Sequence, residues 1–457
     1  MVTRPLIEDE ILSRIRPDNT ERWQIKKVAD KLIKAVDATG IARGMVVGSI
    51  ARDTWVAGEH DIDIFLLFPP SLSREALEDQ GLSLARKIAA QFSDSYYEKY
   101  AEHPYIHATI DGSSVDLVPC FDVKSAAAIQ SSVDRTPFHT RYITEKIDGL
   151  VDDVLLLKQF ARAGGVYGSD QMTEGFSGYL CELLVIHYRG FAPLLEAASA
   201  WRPGVIIDPG QHAAKQFDEP LVVIDPVDPK RNVAAAVTLT RMMGFVELAR
   251  GYRAAPSALF FTLADPLPIT RKELSALLAK RRTYLYAITF ETPPVIPEIL
   301  VPQLKRSIAV IKELLERHGF PVNNARYEPG EVRCIFLFEL LIAVLPKIRI
   351  HTGPPLWNRE NADKFFEKYA GGQNGGLPFI SAGKYSVEVS REYADAKTLL
   401  SSGAILGTSL GKHVRQSLEK EFSVSEGADC FDPEFAAFIR RFFERSSPLA
   451  RIWHNKK

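Results

Sequence analysis

Gly58-Glu59-His60-Asp61-Ile62-Asp63-Ile64-Phe65-Leu66-Leu67-Phe68 is the stretch on which the reading of the fold turns. The apolar run Ile62–Phe68 is nearly continuous and is closed by Pro69-Pro70, so it reads as a strand. Strand side chains alternate between faces, which projects Asp61 and Asp63 from one side. A second predicted strand in Ser113-Ser114-Val115-Asp116-Leu117-Val118-Pro119 offers a third carboxylate, Asp116. Crowded carboxylates repel, and each loses hydration when buried. Divalent cations relieve that conflict. Hard oxygen donors suit Mg²⁺, which shares its shell with substrate phosphates. The pattern points to metal-assisted phosphoryl or nucleotidyl transfer. Gly48-Ser49 lies upstream. There glycine admits a phosphate close to the backbone, serine adds a hydroxyl donor, and a following helix N-terminus favours anions.

Outward from this stretch, Ile25, Val28, Leu32, Ile33 and Val36 recur at helical spacing, and Met45–Gly48 reads as a strand entering a turn. A helix carries Leu77, Leu82, Leu84, Ala85 and Ile88. Tyr105–Ile110 and Val115–Val118 form a predicted hairpin across Asp111-Gly112. Strands interleaved with helices predict an α/β domain over 1–142. The pattern over 143–256 is helical, with helices opening at Val154, over Gly178–Tyr188, and over Asn232–Leu248 after a turn-rich Pro226–Lys230. In 257–457 strands return at Arg282–Phe290, Val332–Val344 and Lys384–Val389. They alternate with helices near Gln303–Glu316, Arg359–Tyr369 and Pro433–Arg445, and Gly371–Gly376 reads as a flexible loop. The expected fold class is thus multidomain, α/β and α+β.

Charged residues make up 25% and apolar residues 46% of the 457, an ordinary globular balance. A net charge of -1 supplies no global field toward nucleic acid, although the 56 Lys and Arg can still cluster locally. Cys120, Cys181, Cys334 and Cys430 form no CxxC pair, which disfavours a zinc ribbon and fits reduced thiols in a cytoplasmic setting. Met1–Pro5 lacks the apolar core of a signal peptide. Phe336–Leu345 is too short to span a membrane and is interrupted by Glu339.

Longer blocks make the reading specific. Gly48–Trp55, Asp61–Pro69 and Val115–Cys120 resemble the archaeal, class I CCA-adding enzymes of the DNA polymerase beta superfamily. So do Ser132–His139, Gly175–Glu182 and Val223–Ala234, in the family's order; Pro302–Arg306 is the clearest piece of the C-terminal third. The resemblance implies a polymerase beta-like nucleotidyltransferase head, a helical central domain that completes the nucleotide pocket, and an α/β C-terminal body and tail that bind tRNA. It implies untemplated addition of C, C and A to the 3′ end of tRNA from CTP and ATP, with release of pyrophosphate. The implied partners are the acceptor and TΨC arms of tRNA, and no membrane. A homodimer is compatible with a sequence that does not fix oligomeric state.

The resemblance also implies roles. Asp61, Asp63 and Asp116 would hold two Mg²⁺ ions, and Asp116 would help deprotonate the attacking 3′-hydroxyl. Two metals clamp the attacking and leaving oxygens of an in-line displacement. The family often has Glu then Asp where this chain has Asp61 then Asp63; both are hard oxygen donors. Glu59 shares their parity and reads as a solvated loop acid. Gly48, Ser49, Arg52, Lys158 and Tyr167 match triphosphate-contacting positions, where cations and hydroxyls stabilise charge on the leaving group. Lys158 also fits a snorkelling lysine and Tyr167 a core residue. Thr136, His139 and His103 approach the incoming nucleotide. Arg231 offers a fork of donors to base acceptors, its alternative being a salt bridge with Asp228.

The C-terminal third lacks an aromatic RNP signature, and its Lys305, Arg306, Lys312, Arg349, Lys412 and Arg415 suit shape recognition of a duplex. Taken singly, each of these residues also fits an ordinary solvated surface. Two other readings share parts of the pattern. One is a poly(A) polymerase-like terminal transferase with the same head. The other is a catalytically silent tRNA-binding protein, against which the intact carboxylate set argues. The bacterial and eukaryotic CCA-adding class is disfavoured, because its Arg-Arg-Asp-Phe block is missing.

Overall fold

Helix α1 (Leu6–Ile15) precedes α2 (Asn19–Asp37), whose first turn is capped by the Asp18 carboxylate accepting from the Glu21 N–H. The chain then enters β1 (Arg43–Val46), the single-turn α3 (Gly48–Ala51), β2 (Asp61–Phe68), α4 (Arg74–Phe92), β3 (Tyr96–Tyr100), β4 (Pro104–Ile110) and β5 (Ser113–Phe121). The structure is a computed structural model that describes residues 5–59, 61–100, 104–263, 267–372, 375–445, 447, 449–450 and 452. The strands form one sheet in the order β1-β2-β5-β4-β3, in which only β2 and β5 run parallel.

Alternation divides the two faces of this sheet. Ile62, Ile64, Leu66, Val115 and Leu117 join Leu32, Val36, Ala85 and Ile88 of α2 and α4 in one buried core. The odd-numbered β2 residues point the other way, where Phe65 and Leu67 meet Val47, Val118 and Cys120 in a small cluster. Asp61 and Asp63 continue that second face, as the sequence predicts, and the β2–β5 register sets Asp63 opposite Asp116. The edge strand β3 was not expected. Its Tyr96, Tyr97 and Tyr100 are exposed and give no inward alternation to read.

Beyond β5 the buried Asp134 carboxylate accepts from the N–H groups of Phe121, Gln130 and Ser131, which fixes the approach to α5 (Thr136–Lys146). Then come α6 (Val151–Ala163), α7 (Gly178–Tyr188), α8 (Phe191–Ala198), the short parallel pair β6 (Val205–Ile207) and β7 (Leu221–Val223), and α9 (Leu239–Ala254). The core of these helices centres on Phe160, whose ring lies 5.5 to 6.1 Å from those of Phe191, Phe245, Tyr252, Phe260 and Phe261. The helix expected from Asn232 starts only at Leu239, capped by Thr238. Asn232 is held outside it. Its side chain accepts from the Val223 and Ala234 N–H groups and donates to the Leu221 carbonyl, a local alternative to helix.

These elements form one compact unit, Met1–Asp265 with Ser446–Lys457, and Pro266–Arg445 forms a second. The second contains α10 (Arg271–Arg281), β8 (Tyr284–Glu291), α11 (Pro297–Arg317), β9 (Val322–Pro329), β10 (Arg333–Leu340), β11 (Ile348–Pro355), α12 (Arg359–Tyr369), β12 (Phe379–Ser381), β13 (Lys384–Ser390), α13 (Ala396–Leu400), α14 (Lys412–Lys420), β14 (Phe422–Glu426) and α15 (Ala436–Phe443). Its sheets are antiparallel, in the orders β14-β8-β10-β9 and β11-β13-β12. The strand expected over Val332–Val344 ends at Leu340. Glu339 within it is fully buried and paired with Arg281 and Arg445. In the predicted glycine loop, Gln373 and Asn374 lie outside the described residues. Among the described residues no helix is long and apolar enough to cross a membrane.

Helix α4 crosses β5 at Gly81, where an added Cβ would lie 2.5 Å from Pro119 Cβ and 2.7 Å from its Cγ. Gly81→Ala should therefore destabilise the first unit by about 1–3 kcal/mol, the usual cost of overpacking. Denaturant unfolding with an unchanged midpoint would refute this contact.

Candidate active site

Gly48 follows β1 at φ +71°, and a Cβ there would lie 2.4 Å from Asp63 Oδ2. Both the positive φ and the close approach require glycine. The Val47 N–H donates to the Asp63 carbonyl at 3.0 Å, which ties this turn to β2. The predicted residues then gather around two cavities of the first unit. One, about 540 Å³, is lined by Ser49, Glu59, Asp61, Asp63, Lys158, Arg162 and Tyr167. The other, about 890 Å³, is lined by Gly48, Arg52, Thr136, His139, Tyr179 and Arg231 among others. The Gly48–Ser49 turn contributes to both. Asp116 lines neither, and His103 lies outside the described residues.

Burial, the Asp116 charge and the Asp61 charge push the Asp63 carboxyl up to about 7. Asp116 Oδ1 accepts from His107 Nδ1 at 2.6 Å. Among the described residues no group of three His, Cys, Asp or Glu side chains converges as metal ligands. The donor set nevertheless fits a hard divalent cation. It is all oxygen, and its half-buried member Asp63 carries an electrostatic load that a cation would relieve.

Arg52, Lys158 and Glu182 form a group of buried ions beside these cavities. Arg52 Nε donates to Glu182 Oε1 at 3.1 Å, and Arg52 Nη1 to Thr140 Oγ1 at 3.4 Å. Lys158 Nζ donates to the Thr54 carbonyl at 2.7 Å and lies 3.7 Å from Glu182 Oε1. Burial lowers the Lys158 pKa, and the Glu182 charge opposes that shift. Thr54 also donates to Glu182. Two cations thus share one carboxylate, and the surplus is positive. Tyr167 is half-buried; its hydroxyl and Lys158 Nζ would lie 3.2 and 3.6 Å from a Cβ at Gly178, at the start of α7. Glu59 is exposed, as expected of a solvated loop acid, and it also pairs with Arg162.

Across the larger cavity the alternative considered for Arg231, a salt bridge with Asp228, is not formed. Arg231 Nη1 donates to Asp225 Oδ2 at 2.8 Å, while Asp228 binds Arg135 Nε at 3.0 Å. The tight turn between Asp225 and Arg231 carries Asp228 outward, toward the start of α5, and leaves Asp225 inside. Thr136, His139 and Thr140 repeat on one face of α5. His139 stacks on Tyr179 at 4.2 Å.

The comparisons decide the family. Residues 25–139 match the nucleotidyltransferase domain, 152–262 the second domain of tRNA nucleotidyltransferase, and 281–427 the C-terminal domain of CCA-adding enzyme. The CCA-adding enzyme of Methanoregula boonei is 63% identical over 97% of each chain. Those of Methanosarcina mazei and Haloarcula marismortui are 43% and 40% identical, over 94% and 92% of this chain and 97% and 94% of theirs. The chain belongs to the CCA-adding enzymes.

Three site residues of this CCA-adding enzyme escaped the reading of its sequence: Glu182, Asp225 and His107. An acid inside the apolar Leu180–Val185 run was a usable signal for Glu182. Asp225 and His107 gave none, because their partners come from distant segments. Asp63 holds its proton more tightly in the folded chain, at about 7, than at the ordinary 3.8. Its charge therefore costs stability that is lost progressively as pH rises from about 4 to about 7. Without divalent cation, Asp63→Asn should gain stability on the order of 1–3 kcal/mol at pH 8 and much less at pH 5. Thermal melts in chelator that show no pH-dependent gain would contradict the burial and crowding of this carboxylate.

Proposed function

We propose that the joined cavities carry out untemplated addition of C, C and A to the 3′ end of tRNA from CTP and ATP. The observation that carries this reading is the Gly48–Ser49 turn, which links an acid-lined cavity to the larger one lined by Thr136, His139 and Arg231. Asp61, Asp63 and Asp116 would hold divalent cations, Mg²⁺ in this reading, that acidify the 3′-hydroxyl and neutralise the departing pyrophosphate. Ser49 and the backbone at Gly48 receive the triphosphate. Arg52 and Lys158, already desolvated and held by Glu182, stabilise charge on the leaving phosphates without reorganising. Tyr167 adds a hydroxyl donor beside Lys158.

In this assignment the larger cavity takes the base and ribose, with Thr136 and His139 on one wall and Arg231 on another. The acceptor and TΨC arms of tRNA bind through phosphate and 2′-hydroxyl contacts, to which the basic residues of 266–445 contribute. We place the enzyme in the cytoplasm, where tRNA and nucleoside triphosphates meet.

The test uses tRNA lacking its last three nucleotides, with CTP and ATP supplied separately and together. Addition should stop at two C without ATP and finish with one A when both are present. A long A tail made from ATP alone would favour the poly(A) polymerase-like reading. Asp61→Ala, Asp63→Ala and Asp116→Ala should each abolish both C and A addition while tRNA binding stays near wild type. Near-normal turnover by any of them removes that residue from the assignment.

A further inference from the structure

Asp225 is fully buried, yet it belongs to none of the groups assigned so far. Its carboxylate receives four donors, divided by oxygen. Oδ1 accepts from the Val227 N–H at 2.9 Å and the Tyr179 hydroxyl at 3.2 Å. Oδ2 accepts from Arg231 Nη1 at 2.8 Å and from His139 Nε2 at 2.8 Å. The carboxylate is therefore the common anchor of His139 and Arg231, two of the three side chains assigned to the base cavity.

We propose that Asp225 is the positioning residue for base selection, holding His139 with Nδ1 free to accept a hydrogen bond beside the donors of Arg231. The proposal rests on the assignment of that cavity to the base. A carboxylate can only accept, so the proton of the His139 pair lies on Nε2. Burial lowers the His139 pKa, against an opposing pull from Asp225, so the neutral ring predominates near pH 7. Nδ1 of that ring carries a lone pair and no proton. The cavity thus presents one acceptor and a fork of donors.

Cytosine and adenine share the complementary pattern. Each offers an exocyclic amino donor flanked by a ring-nitrogen acceptor. Uracil and guanine present a carbonyl oxygen in place of the amino group. A site with this pattern accepts CTP and ATP and leaves a polar group unpaired with UTP or GTP.

Asp225→Asn is the informative variant because its orientation is dictated. The Val227 N–H belongs to the backbone and cannot turn away, so it holds the amide oxygen at the Oδ1 position, which turns the amide NH₂ toward the movable side chains of His139 and Arg231. His139 must then accept at Nε2 and carry its proton on Nδ1, and Arg231 meets a donor. The ratio of kcat/KM for CTP over UTP, on tRNA lacking its last three nucleotides, should fall about 100-fold or more, as expected when hydrogen-bond complementarity is lost. An unchanged ratio overturns the proposal. A merely structural loss lowers both rates together, leaves the ratio standing, and also overturns it. A second measurement needs no variant. Nitrogen NMR of the ¹⁵N-histidine-labelled wild-type protein should show His139 protonated at Nε2 and bare at Nδ1. A proton on Nδ1 refutes the proposal even if the variant does not fold. Wild-type addition of C, C and A is followed alongside. Its failure would sink the assignment of the cavity itself, whereas wild-type selectivity retained in Asp225→Asn would sink only the role of Asp225.

Discussion

The parallel pairing of β2 with β5 is the constraint from which the rest of the first unit follows. It sets Asp63 opposite Asp116 and, through two-residue alternation, puts Asp61 on the same face. A slip of one residue would send these carboxylates into the core against α2 and α4 and turn Ile62 and Ile64 outward. The apolar residues between the carboxylates therefore do more than fill space. Their burial on α2 and α4 fixes the register, and the register fixes the acids.

Charge is balanced in a consistent way around that register. The acids at the start of β2 repel one another, and on Asp63 the opposing Arg52 charge is outweighed. A short distance along the fold, Arg52 and Lys158 share a single carboxylate among the described residues, Glu182. One side of the smaller cavity thus suits cations and the other suits phosphate oxygens. A magnesium–nucleotide complex brings both charges. In the larger cavity Asp225 neutralises Arg231 while orienting it, and the opposed pulls on its carboxyl leave it at about 2. Burial alone would raise it; the bonds from His139, Val227 and Arg231 more than offset that.

Much of this was legible in the sequence because it depends on local pattern. The Asp61–Phe68 strand, the hairpin that carries Asp116, and the helix holding Lys158 all follow from periodicity and turn residues. The relations between distant segments were not legible. Nothing local says that Asp225, rather than Asp228, receives Arg231. Both lie near it in sequence, and the turn geometry decides. Nothing local pairs Glu182 with Arg52, 130 residues away. The helix expected from Asn232 fails for a related reason: the Asn232 side chain bonds to the backbone of β7, which periodicity does not encode.

The central claim is that the acid face of β2 and β5 is a cation site completed by nucleotide. Anomalous diffraction from crystals grown with Mn²⁺ and CTP addresses it most directly. The account predicts manganese density within coordination distance of Asp61 and Asp63, with the triphosphate lying between that density and Arg52 and Lys158. Ordered CTP in the cavities with no manganese at these carboxylates, or manganese bound elsewhere on the first unit, would contradict it.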